Sequence, residues 1–150
     1  MNKDRYGAAV HEAGHVLVAW ALGLKTRKAV VGIRGDDSAG EVQIEDARHL
    51  PLIDQIAICS AGGDAQRLVG APTNEMSVFE DMVQIWELIE NYPEDEGEAH
   101  RDAGYKRLQK LLKLHRAKVE LLATALAERS ELDQSAIEQL LNSQKEAPAL

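Results

Sequence analysis

The stretch GAAVHEAGHVLVAWALGL, residues 7–24, decides how the rest of the chain is read. Apart from the indole of Trp20, its only polar side chains are His11, Glu12 and His15. A helix that is apolar on every face is a buried helix. Extended back to residue 4 and stopped by Gly23, the segment is expected to be a central helix over residues 4–23. Three ionisable groups on such a helix cost several kcal/mol unless they find partners.

The spacing says what those partners would be. At about 100° per residue, His11 and His15 lie one turn apart on the same face, so both imidazoles can point at one ion. Glu12 is rotated by about 100° and flanks the pair, where a carboxylate can take a proton from water and return it to a leaving amine. This is the logic of H-E-x-x-H, a pattern expected by chance in roughly one or two of every hundred chains of this composition. The competing reading is that core contacts satisfy the histidines and an arginine elsewhere pairs with Glu12.

Zinc in a hydrolase takes three protein ligands and keeps one position open. Continuation of the same helix does not supply the third, because Val18 and Ala21 stand where a metzincin needs Gly and His. Residues 74–91 read as a helix stopped by Tyr92-Pro93. Glu80 shares a polar face there with Ser77, Gln84, Glu87 and Asn91, which reads as the solvent side. Asp81 falls between Ile85 and Leu88, in an arc with Val78, Met82 and Ile89, and an acid on a core-facing stripe requires a cation. Asp81 is therefore the choice for third ligand. The alternative is an aspartate at the rim of the stripe, pairing with an arginine or capping a neighbour. His49 and His100 are placed in loops, and His115 reads as a satisfied core histidine. Asp64 is a candidate for orienting a ligand histidine.

Working outward, Thr26–Ile33 and Gly40–Ile44 read as a two-stranded ribbon across a turn at 34–39. Pro51 opens a helix that runs to Val69 with Gly70 beyond it. The acidic run 94–98 reads as a solvated loop. Residues 99–129 read as one long helix, with an apolar stripe of Leu108, Leu111, Leu112, His115, Val119, Leu122 and Leu126. Asp133 fits an N-cap, with Leu132 and Ile137 placed as a staple, for a last helix that runs to Asn142 before a frayed tail. The expectation is a mainly helical fold with five or six helices and one small ribbon, residues 1–150 forming one domain.

Composition bounds the partners. Of 150 residues, 25 are Asp or Glu and 17 Lys or Arg, a net charge of −8, which argues against nucleic acid. The single cysteine, Cys59, excludes an internal disulfide and reads as buried and inert. No segment reaches the roughly 18 apolar residues of a membrane span, and the start lacks a signal-peptide pattern. A cytoplasmic location is expected.

YGAAVHEAGHVLVAWA, residues 6–21, resembles the start of the peptidase domain of FtsH-type zinc proteases, peptidase family M41. The likeness continues through AVVGIRG and AGEVQI in the ribbon and through IAICSAGGDAQRLVG, where the family has a Gly-Gly-Arg-Ala-Ala-Glu pattern. It extends to TNEMSVFEDMVQIWELI and to the C-terminal LLKLHRAKVELLATALAERSELDQSAIEQLL. The resemblance implies a zinc endopeptidase with His11, His15 and Asp81 as ligands, Glu12 as base and unfolded polypeptide as substrate. Asp64 and Gln66 depart from the family pattern, and Glu80 stands where it has Asn. Family members are fused to an AAA ATPase and a membrane anchor. Met1 stands ten residues ahead of His11, so a stand-alone domain is expected. It would cut peptides or already unfolded chains unless a separate ATPase or unfoldase supplies the motor, and the family's rings imply a homo-oligomer. A substrate strand is expected to add to the ribbon near Gly40–Ile44. The alternatives are a zinc-binding interaction module that does not cleave, and a structural zinc site with four protein ligands.

Overall fold

The computed structural model describes residues 3–35 and 37–143. The fold is mainly helical, with six helices among the described residues and a small antiparallel sheet. Helix α1 spans Lys3–Ala21 and is buried from Gly7 to Ala19, as a helix with apolar residues on every face requires. It lies between α2 (Leu52–Val69), α5 (Arg116–Arg129) and the sheet. At the α1–α2 crossing Gly14 leaves no space for a side chain: an added Cβ would sit 2.6 Å from the Ala61 carbonyl oxygen. Arg5 ties the start of α1 to the end of α5, its Nε donating to the Ala127 carbonyl at 2.8 Å.

Strands β1 (Thr26–Arg34) and β2 (Asp37–Ile44) pair antiparallel in a register that runs from Thr26 opposite Ile44 to Arg34 opposite Asp37. The strands are longer than the sequence suggests, and the turn is correspondingly tighter, with Gly35 at φ 63°. A third strand, β3 (Glu131–Asp133), pairs with β1, so the order is β2-β1-β3 and, among the described residues, β2 keeps a free edge. Three residues are too short to announce themselves by alternation; Leu132 is buried between two exposed acids. Ser130, at φ 70°, ends α5 and turns the chain into β3.

Helix α3 spans Glu75–Ile89, with the Asn74 side chain accepting from the backbone N–H groups of Met76 and Ser77. Helices α4 (Glu94–Leu114) and α6 (Gln134–Ser143) complete the set. Asp133 caps α6 as expected, accepting from the Ala136 N–H at 2.8 Å.

Two expectations are corrected. Glu94–Glu98 is the first turn of α4 rather than a loop, and His100 is helical with it. Acids there complement the partial positive charge of a helix N-terminus, so the run is solvated and helical at once. The long helix also breaks at His115, between α4 and α5. Helix α4 packs mainly on α2 and α5 on α1, and the apolar stripe keeps its spacing across the bend while its partner changes. His115 still sits against the core helix, its ring edge-on to Trp20 at 5.3 Å. No helix among the described residues is long and apolar enough to cross a membrane. The tail expected to fray, 144–150, lies outside the described residues.

Candidate metal centre

The four residues of the HExxH-plus-aspartate reading lie together, although α1 and α3 are separated by the whole ribbon and α2. His11 Nε2 is 2.9 Å from Asp81 Oδ2, His15 Nε2 is 3.1 Å from the same oxygen, and the two Nε2 atoms are 3.2 Å apart. A tetrahedral ion with bonds of about 2.0–2.1 Å would set its ligand atoms about 3.3 Å apart. The triangle fits that spacing with a slight contraction. Among the described residues no fourth His, Cys, Asp or Glu joins the three. The four-ligand structural site therefore lacks its fourth donor there.

The tautomers are set from behind. His15 Nδ1 lies 2.7 Å from the Ile58 carbonyl, which can only accept, so this nitrogen carries the proton. The Gln66 amide donates through Nε2 to the Gly7 carbonyl at 2.9 Å, which turns its Oε1 toward His11 Nδ1 at 3.3 Å. Both rings thus keep the N–H on the far nitrogen and present an Nε2 lone pair to the carboxylate. Two lone pairs and an anion at about 3 Å repel unless a cation or an extra proton sits among them. Burial drags His15 down, but hydrogen bonding and charge from Asp81, with Glu12 and the Ile58 carbonyl, lift it to about 9. Burial pushes Asp81 up, and the two histidines outweigh this and hold it at about 2. Without a metal, a proton on His15 fills the gap.

Glu12 is buried at 6% exposure and turns aside from the triangle, over Gly40 of β2. Burial raises its pKa first, Asp81 and Glu41 add to this, and the two histidines oppose it. Two glycines make the room. A Cβ on Gly62 would lie 2.4 Å from His11 Nε2, and one on Gly40 would lie 2.4 Å from Glu12 Cγ. The glycine pair in the middle of a helix is the one signal in the sequence that could have exposed the first of these.

Other sequence candidates fall elsewhere. Asp64 pairs with Arg67 on its own helix, and the orienting role expected of it belongs to Gln66. Asp81 does not stand on a fully buried arc: Ile85 is the buried residue of α3, whereas Met82 is 58% exposed. Cys59 is half-buried rather than buried and lines the cleft beside the site. Its thiol is pushed up to about 11, by burial and then by Asp81, which leaves it a protonated donor to Gln84. His49 lies in a loop and His100 meets Tyr92 edge-on, both away from the triad.

The cleft in front of the site, about 640 Å³, runs between β2 and α3. Gly40, Glu41 and Val42 all line it, although successive residues of a strand point to opposite faces; the cleft therefore follows the free edge of β2. Ser77, Glu80, Gln84 and Glu87, which read as a solvent face in the sequence, are its opposite wall. No protein-family model matches the chain, and no curated protein matches it.

Proposed function

We propose that this chain is a zinc-dependent endopeptidase domain that hydrolyses peptide bonds in unfolded polypeptide. The observation that carries the reading is the close triangle of His11 Nε2, His15 Nε2 and Asp81 Oδ2, with a buried glutamate beside it and an open strand edge in front. Two imidazoles and one carboxylate are a donor set that suits zinc. When bound, the ion would polarise the scissile carbonyl and lower the pKa of water.

The chain's own groups do the rest. Gln66 and the Ile58 carbonyl hold the imidazoles in the ligating tautomer. Glu12 takes a proton from the attacking water and passes it to the departing amine; its raised pKa makes the carboxylate a stronger base. The edge of β2 offers unpaired backbone groups to an extended chain, which orders the substrate along the cleft and excludes folded proteins. The resemblance to FtsH-type peptidases agrees with this assignment, and with it goes the proposal that a separate ATPase or unfoldase delivers folded substrates.

The test combines metal analysis with turnover. The purified protein is expected to hold one zinc per chain and to cut unfolded casein in a chelator-sensitive way. Glu12→Gln is expected to keep the metal and lose roughly 10²–10⁴-fold in rate. Absence of stoichiometric metal, or full activity in Glu12→Gln, would sink the reading.

A further inference from the structure

We infer that the cleft selects cationic polypeptide, segments with lysine or arginine on either side of the bond at the metal centre. The inference rests on the cleft being the peptide site proposed above. Six carboxylates line it. Glu12 and Asp81 belong to the centre itself. Glu41 comes from β2 and Glu45 from the residue just beyond it, and Glu80 and Glu87 come from the α3 wall. Among the described residues no lysine or arginine lines the cleft.

Net charge alone does not explain that pattern. A second cavity of about 570 Å³ meets the cleft at Asp81 and is lined by Arg67 and Lys113 as well as Asp64. The basic residues are therefore kept out of one cavity and admitted to its neighbour. Nor is the acidity distant from the chemistry: Glu41 directly follows Gly40, over which the Glu12 side chain lies. Lys28, which also feels Glu41, is engaged with Glu131 at 2.6 Å on the side of the sheet where β3 pairs. Glu45 is held in place by the Lys25 backbone N–H at 2.6 Å, a contact that fixes the carboxylate and leaves its charge.

The spacing suits an extended chain. Glu41 and Glu45 are four residues apart along the strand direction, about 13 Å, and Glu80 and Glu87 are seven apart on a helix, about 10 Å. Both walls thus carry charge over the length of about four extended residues. A peptide added to the free edge of β2 projects alternate side chains toward the two faces, so basic residues at neighbouring positions meet one wall or the other. An exposed ion pair changes affinity by a factor of roughly 1.4–5. Several together give roughly tenfold, with a salt dependence that apolar contacts do not show.

The experiment uses peptides with one apolar centre flanked by lysine, glutamine or glutamate. Binding to the Glu12→Gln protein is read by fluorescence anisotropy, and cleavage by the unsubstituted protein is read with quenched versions. The lysine peptide is expected to bind roughly tenfold more tightly than the glutamate peptide. That advantage should shrink as salt rises and in the double variant Glu41→Gln, Glu87→Gln, both exposed positions. Equal affinity for the three peptides, no binding of any, or a preference untouched by the double variant overturns the inference. Tight binding of the lysine peptide with no cleavage of any peptide overturns the peptidase reading and leaves the inference standing.

Discussion

Helices α1 and α3 supply the two halves of the same centre, and they are held in very different ways. Helix α1 is enclosed by α2, α5 and the sheet, and its two histidines are gripped from behind by Gln66 and the Ile58 carbonyl. Helix α3 buries one residue, Ile85, and shows Met76, Phe79, Met82 and Trp86 to solvent, each more than half exposed. The imidazole half is therefore built by the fold, while the carboxylate half is brought to it by a lightly packed helix. Lightly packed elements open first. An ion bridging the two would hold α3 down as much as the protein holds the ion.

The largest expected effect follows from that coupling. Saturating zinc at about 100 times its dissociation constant should stabilise the protein by about 2.7 kcal/mol. After chelation, amide hydrogen exchange should rise along Glu75–Ile89 and stay slow in α1. Equal opening of both helices would break the comparison. Next in size is Gly62→Ala. The new methyl would stand 2.4 Å from His11 Nε2, on the side of the site that has no slack. A loss of about 1–3 kcal/mol in stability is expected from overpacking, together with a fall in zinc affinity of roughly 10–100-fold. Gly63→Ala is the control, because its Cβ meets Val78 Cγ2 at an ordinary 3.5 Å. A thermal melt and a zinc titration on both variants separate local displacement of the ring from a general cost of alanine in α2.

What could be read from the sequence follows the same divide. Helix α1 announced its burial because nothing in it but His11, Glu12 and His15 is polar over the buried run, and the i, i+4 spacing is a local property that survives any tertiary arrangement. Asp81 was legible only as an acid on one side of a helical wheel. The wheel gave its direction correctly but misjudged the wall: Ser77, Glu80, Gln84 and Glu87 face a cleft, which a single helix cannot distinguish from bulk water. Gln66 was hidden because its role depends on the Gly7 carbonyl of another helix. The break at His115 and strand β3 were hidden for a related reason. Neither carries a proline or an alternating run, and both are imposed by what the chain packs against.

A third prediction sharpens the comparison electrostatically. With its Nδ1 proton committed to Ile58, His15 can hydrogen-bond Asp81 through Nε2 only as the imidazolium. Its pKa of about 9 means that the metal-free protein carries this proton at neutral pH. An incoming ion needs the same lone pair and must expel it. Zinc binding at pH about 7.5 should therefore release about one proton from His15, and below pH about 9 each unit of acidification should weaken binding by about tenfold. Above that value His15 releases none. Calorimetric titration in buffers of different ionisation enthalpy reads the number directly, and binding without proton release would mean that the imidazole arrives neutral.

The smallest effects should come from the outer face of α3. Trp86 is 67% exposed, and replacing it with alanine should change stability by no more than about 0.5 kcal/mol, the usual range for a surface site. Ile85, one residue earlier and 4% exposed, should cost about 2 kcal/mol on the same substitution, the low end for a core isoleucine because the helix around it is lightly packed. The pair tests whether α3 is anchored at one point. If Ile85→Ala lowers zinc affinity while Trp86→Ala leaves it alone, the position of Asp81 depends on that single buried contact and on the ion. If both substitutions lower it, the exposed aromatic face also takes part in placing the carboxylate, and the light packing of α3 understates what holds it.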